Sequence, residues 1–171
     1  MKKVWLPLSL VALLSACAAY APGPVATAQL AATKGNAVTG SVRFEQMGDK
    51  VRVSGEVQGL APNRVHGFHV HEKGDCSSGD GMGTGGHFNP GSTAHGAHDA
   101  DAHHAGDLAS LKADANGVAR FSYDAQGISV DAGAASVIGR GLIVHRDPDD
   151  YKTQPTGNSG PRVACAVIQK L

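Results

Sequence analysis

The 171 residues carry fifteen Lys and Arg against fifteen Asp and Glu, nine His, and only 5% aromatic residues. A balanced charge with no basic run and no aromatic-basic interleaving excludes a nucleic-acid-binding module. The length suits one domain with one core, and its unusual feature is the histidine content.

Residues 1–16 have the layout of a secretory signal. Met1-Lys2-Lys3 is a short basic start, and residues 4–14 form an apolar run too short to be a good membrane span. The run ends in Leu14-Ser15-Ala16-Cys17, which resembles the lipobox of bacterial lipoproteins, where the cysteine becomes the acylated first residue. The bland alternative is an ordinary signal beside an incidental cysteine. Residues 17–27, rich in Ala and Pro without amphipathic period, read as a tether between a lipid-anchored Cys17 and a domain over 28–171. Removal of the signal takes Lys2, Lys3 and the single Trp5, leaving thirteen basic against fifteen acidic residues. The expected location is the bacterial periplasm, attached to a membrane through the Cys17 anchor.

Short stretches of strand character follow at 37–46, 50–58, 64–71, 107–113, 117–123, 142–145 and 162–168. Hairpin signals lie at Met47-Gly48-Asp49 and Asp114-Ala115-Asn116-Gly117. Val51, Val53, Gly55 and Val57 share one face, while Arg52, Ser54, Glu56 and Gln58 share the other. That alternation suits an antiparallel sheet with one wet face. No stretch beyond the signal shows a long 3.6-residue apolar period, so the fold class is all-β, a sandwich or barrel.

Residues 73–106 and 146–161 do not read as strands. Loops this long in a compact domain are usually functional or disordered. The first carries His87, His95, His98, His103 and His104, so a metal can supply order that apolar packing cannot. Gly81-Met82-Gly83-Thr84-Gly85-Gly86 matches the G-x-G-x-x-G spacing of dinucleotide sites, but His87-Phe88-Asn89-Pro90 follows it in place of a helix, which excludes that reading.

Within Gly67-Phe68-His69-Val70-His71, alternation along a strand turns His69 and His71 to one face and His66 to the other. Imidazole pairs of this kind suit zinc, copper, iron or nickel. His69, His71, His87, His95, His104 and His145 with Asp107 make more ligands than one tetrahedral zinc takes, so two metals are expected on counting. His98 and His103 remain loop residues, auxiliary ligands or substitutes for these. If Cys17 carries lipid, Cys76 and Cys165 are free to pair in an oxidising compartment, closing a loop worth roughly 4 to 5 kcal/mol in the chain-entropy account. The competing reading makes Cys76 a metal ligand beside His69 and His71.

Gly67-Phe68-His69-Val70-His71-Glu72, His87-Phe88-Asn89-Pro90, His104-Ala105-Gly106-Asp107-Leu108, Ile138-Gly139-Arg140, Val144-His145 and the run from Gly157-Asn158-Ser159-Gly160 to Cys165 together resemble the copper/zinc superoxide dismutases, in order and in spacing. The resemblance implies an eight-stranded Greek-key β-barrel or sandwich with long metal-binding loops; the enzyme is a standard example of the sandwich architecture. It implies copper on His69, His71, His87 and His145, and zinc on His87, His95, His104 and Asp107, with His87 shared. By the same likeness Cys76 and Cys165 form a disulfide, Arg162 is the active-site arginine, His66 is structural, and Asp149 hydrogen-bonds ligands of both metals. His87 and Arg162 carry the catalytic roles: His87 moves a proton, and Arg162 guides a small anion.

The implied reaction is dismutation of superoxide to oxygen and hydrogen peroxide by redox-cycling copper beside a redox-inert zinc. Lys73 and Lys152 are candidates for steering the anion. The segment between Cys76 and His87 and the loop after His145 look like the bacterial periplasmic branch rather than the animal one. A homodimer is compatible with the resemblance, with no interface carried over from the animal enzymes. The alternative is an exported copper or zinc buffer without turnover, and a third reading is a lipoprotein domain whose loop zinc merely orders; Arg162 beside a complete copper set argues against both.

Overall fold

The computed structural model describes residues 23–171, so the signal, Cys17 and residues 18–22 of the tether lie outside the described residues. Ten strands follow in order: β1 (Val25–Ala32), β2 (Thr39–Met47), β3 (Lys50–Gln58), β4 (Val65–His66), β5 (Phe68–His71), β6 (Leu111–Lys112), β7 (Ala119–Ala125), β8 (Gly141–His145), β9 (Arg162–Val167) and β10 (Gln169–Lys170). A single 3₁₀ turn, Met82–Thr84, is the only helical element among the described residues.

Seven strands pair antiparallel in the order β5-β8-β9-β1-β2-β3-β7, with β10 added to β1. β1, β2 and β3 are a simple meander, whereas β8 and β9 lie between β5 and β1 and so demand long crossing connections, the mark of a Greek key. The two ends of this curled sheet are linked by the short β4-β6 ladder, since β4 continues into β5 and β6 leads into β7. Phe68 on β5 meets Phe121 on β7 edge to face at 5.6 Å, closing the core from its other end.

The alternation expected for 50–58 appears as drawn: Val51, Val53 and Val57 are fully buried while Arg52, Glu56 and Gln58 face solvent. They pack with Val42, Phe44 and Leu142, and each such side chain contributes on the order of 1.5 to 3 kcal/mol by leaving water. The stretch 64–71 is interrupted at Gly67, whose N–H donates to the Asp147 carbonyl and whose carbonyl accepts from His145 N–H. Only Leu111–Lys112 of 107–113 is strand, because Asp107 and Leu108 instead dock on β5.

One boundary is corrected. The stretch 17–27 read as tether already contains the start of β1, which pairs with β2 from Val25↔Glu45 onward. Ala26, Ala28 and Leu30 alternate inward there. Alanine has weak strand preference, so the period-two signal was faint.

Candidate metal centre

The site forms where two loops fold back onto β5. Val70 N–H donates to Gly106 O at 2.9 Å, Phe88 N–H donates to Val70 O at 2.9 Å, and Gly106 N–H donates to Phe88 O at 2.8 Å. Bridges His71↔His87 and His69↔Asp107 extend this docking, so backbone contacts stitch the long histidine loop to the strand. Phe88 is buried beside this seam, and the Arg140 guanidinium sits 3.6 Å above its ring.

Two groups of ligand atoms result. His69, His71, His87 and His145 place one atom each within 4.8 Å of one another, as do His87, His95, His104 and Asp107, and all seven residues are buried. His87 belongs to both. Its Nδ1 lies 2.8 Å from Asp107 Oδ1 and 3.5 Å from His104 Nδ1, while its Nε2 is buried without a partner.

The other rings of the first group follow one rule. His69 Nε2–H donates to Asp149 Oδ2 at 2.7 Å, His71 Nδ1–H to Gly85 O at 2.9 Å, and His145 Nδ1–H to Gly160 O at 3.0 Å. Their remaining nitrogens, His69 Nδ1, His71 Nε2 and His145 Nε2, are buried and unpartnered, like His87 Nε2. Four orphaned lone pairs in one dry place are costly unless something binds them. Pinning the far nitrogen of each ring fixes tautomer and orientation, as metal-ligating histidines require. The donor set fits a transition metal.

Electrostatics agrees. Burial pushes His69 down to about 4 and His145 to about 3, and it also lowers His71, with neighbouring imidazoles adding to each shift. These rings are therefore neutral, with lone pairs available, at physiological pH. In the second group burial opposes charge on Asp107, yet hydrogen bonds from His87, His95 and the His104 and Gly96 amides hold it far below the usual carboxylate range. His95 lies between Asp107 Oδ2 at 3.0 Å and Asp149 Oδ1 at 2.9 Å; burial works against its protonation, but the two carboxylates raise it to about 9.

A family model described as copper/zinc superoxide dismutase matches residues 38–168. The chain belongs to that family. Among similar proteins are the Cu-Zn superoxide dismutases of Paramecium bursaria Chlorella virus 1 (44% identical, covering 77% of this chain and 72% of the relative), of Onchocerca volvulus (39%, 84% and 96%) and of Saccharomyces cerevisiae (41%, 81% and 95%). The crystal structure of the clock protein EA4 superposes with a TM-score of 0.78 at 40% identity, covering 86% of this chain and 94% of that one. Copper and zinc are the metals of this dismutase family.

The structure brings together the residues that the dismutase likeness singled out. Cys76 and Cys165 are joined by a disulfide with Cα atoms 5.9 Å apart, which removes Cys76 from consideration as a ligand. Arg162, at the start of β9, donates through Nη1 to Gly81 O (2.6 Å) and Thr84 Oγ1 (2.8 Å) and through Nη2 to Gly85 O (2.6 Å). Gly85 O thus accepts from both Arg162 and His71, coupling the arginine to the first histidine group. His66 stays outside both groups, with Nδ1–H donating to His145 O at 2.9 Å. His98 and His103 also stay outside; His98 stands edge-on to Tyr123 at 5.4 Å, and His103 Nδ1–H donates to His104 O. Lys73 and Lys152 are exposed.

Asp149, which the likeness singled out, binds His69 and His95 together. Two other residues that shape the site were not legible in the sequence. Gly157 passes so close above Asp149 that a Cβ there would overlap its Oδ1 and lie 2.5 Å from His95 Nε2. Gln154 reaches the His95 backbone. Gly157 sits in a quoted motif, but its role depends on a loop path that only coordinates reveal; Gln154 carried no signal at all.

Proposed function

We propose that the protein dismutates superoxide to oxygen and hydrogen peroxide, with copper held by His69 Nδ1, His71 Nε2, His87 Nε2 and His145 Nε2, and zinc by His87, His95, His104 and Asp107. The observation that carries this is the set of four buried, unpartnered nitrogens in the first group, each on a ring whose far side is already engaged. Bound copper supplies a one-electron acceptor and donor for the two half-reactions, and zinc supplies fixed positive charge.

The chain's own residues do the rest. Arg162 has five N–H donors, and the Gly81, Thr84 and Gly85 contacts leave some of them for a small anion. Burial lowers its pKa, but a guanidinium stays charged in proteins, so its positive charge is permanent. His87 Nε2 faces the first group while Nδ1 is engaged in the second, so in the half-cycle in which it does not bind copper it is the atom that would carry a proton to the forming peroxide. Asp149, ionised by its His69 and His95 partners, keeps both rings oriented.

Metal analysis and a superoxide assay on the mature protein, with His145→Ala and Arg162→Ala, test the reading. His145→Ala should lose copper and activity but keep zinc, and Arg162→Ala should lower the rate and flatten its salt dependence. A copper-loaded wild type no faster than buffer refutes it.

The finer reading is an exported bacterial lipoprotein of the periplasm. Its support is the basic start, the apolar run and Leu14-Ser15-Ala16-Cys17, together with an odd cysteine left once Cys76 and Cys165 pair. Mass spectrometry of the membrane fraction checks it: acylated Cys17 is expected, and a free mature protein that begins elsewhere overturns it.

A further inference from the structure

The loop 146–161 touches the proposed zinc ligand His95 twice. Asp149 takes its ring, as described. Separately, the Gln154 side-chain amide pairs with its backbone: His95 N–H donates to Gln154 Oε1 at 2.9 Å, and Gln154 Nε2–H donates to His95 O at 3.0 Å. The two bonds close a ring between one planar amide and one residue's main chain, which fixes position and rotation together. His95 is buried and belongs to no strand, so neither of these backbone groups has a sheet partner. Next to it, Gly96 N–H donates to Asp107 Oδ2, tying the same short stretch to a carboxylate of the second group. Without Gln154, the His95 main chain would be placed only indirectly, through its ring contacts with Asp107 and Asp149 and through the anchoring of Thr93 and Gly96 on either side.

We infer that Gln154 is a positioning residue for the zinc site, clamping the His95 backbone so that its ring meets His87, His104 and Asp107 in the arrangement a metal needs. This rests on the assignment of zinc to that group. Clamp and Asp149 act on different parts of His95, the first on its main chain and the second on its ring, so the loop 146–161 holds the residue at two points. Partners of this indirect kind typically change metal affinity by about ten- to a hundredfold. For an exposed amide the low end applies, and zinc release should quicken about tenfold on its loss.

The test uses the metal-loaded mature protein and a chromophoric chelator to follow zinc release, with cobalt substituted for zinc to report ligand geometry through its visible absorption. Gln154→Ala should release zinc about tenfold faster and shift the cobalt bands. Gln154→Glu, which can still accept from His95 N–H but cannot donate to His95 O, should fall between it and wild type. Tyr151→Phe removes the hydrogen bond to Ser110 Oγ that anchors the same loop elsewhere, and should leave the cobalt bands in place. If Gln154→Ala releases zinc within twofold of wild type, or if Tyr151→Phe shifts the bands equally, the clamp is only a loop anchor and the inference fails. His95→Ala separates the levels: zinc retained there overturns the ligand assignment and the clamp with it, whereas zinc lost there alongside an unaffected Gln154→Ala overturns the clamp alone.

Discussion

Replacing Gly157 with alanine is expected to damage the link between the two metal groups without removing any ligand. Gly157 has φ +65° and lies against the Asp149–His95 hydrogen bond; its new Cβ would overlap Asp149 Oδ1, stand 2.6 Å from Asp149 Cγ and 2.5 Å from His95 Nε2. Left-handed backbone costs an L residue about 1 to 2 kcal/mol. Displacing Asp149 also sacrifices at least one charged hydrogen bond among those with His69, His95 and Tyr151 N–H, worth about 1.5 to 3 kcal/mol. The total is about 3 to 5 kcal/mol. Gly35 provides the reference, since its φ is +81° but nothing lies within 4 Å of its would-be Cβ. Gly35→Ala should show the backbone cost alone. Urea unfolding of both variants without metal gives the difference, expected at about 1.5 to 3 kcal/mol, and the metal-loaded Gly157→Ala should also bind zinc about tenfold more weakly. Equal unfolding midpoints for the two variants would refute the collision and the role given to Asp149.

Cys76→Ser opens a disulfide spanning 89 residues and should cost roughly 4 to 5 kcal/mol in the chain-entropy account, read by urea unfolding under oxidising conditions. Zinc should stay bound, because neither cysteine belongs to the second group; Asp107→Ala should instead release zinc while leaving the disulfide intact. The metal-free protein should lose stability as the pH falls from about 6.5 towards 4. His69 and His145, depressed to about 4 and about 3 chiefly by burial, take up protons in the unfolded chain before they do in the folded one. His69 alone accounts for on the order of 3 kcal/mol at 1.36 kcal/mol per pH unit. His95, raised to about 9, acts in the opposite sense and adds stability that fades as the pH rises through 9. Urea midpoints measured from pH 4.5 to 9.5 check both arms, and a flat profile below pH 6.5 contradicts the buried neutral imidazoles.

The strands that alternate strongly were legible: the valines of β3 point inward and its charged residues outward as the pattern required. β1 was not, because Ala26 and Ala28 do their packing with almost no apolar area, and a period-two pattern in alanine looks like a linker. At the metal centre the ligand types and their spacing were legible, since chemistry restricts which side chains can serve. What sequence could not supply is which nitrogen of each ring faces the centre. That choice is made from outside, by Gly85 O for His71, Gly160 O for His145 and Asp149 for His69, and two of those three acceptors are main-chain carbonyls with no residue identity to read.

The same fact explains why the loops are long. A backbone carbonyl can orient an imidazole only if its segment is itself held, and Gly85 belongs to the turn that Arg162 grips through three hydrogen bonds and that the Cys76–Cys165 disulfide fastens to β9. Gly160 lies at the end of the other loop, next to Ser159, whose carbonyl accepts from Asp147 N–H, while Asp147 O accepts from Gly67 N–H at the break between β4 and β5. The rings of His71 and His145 are therefore oriented by segments tied to strands elsewhere in the barrel. The site's rigidity comes from covalent and hydrogen-bonded fastening of these loops, and a substitution that replaces no ligand, at Cys76 or in the Arg162-gripped turn, reaches the metal through the tautomer and angle of a single histidine.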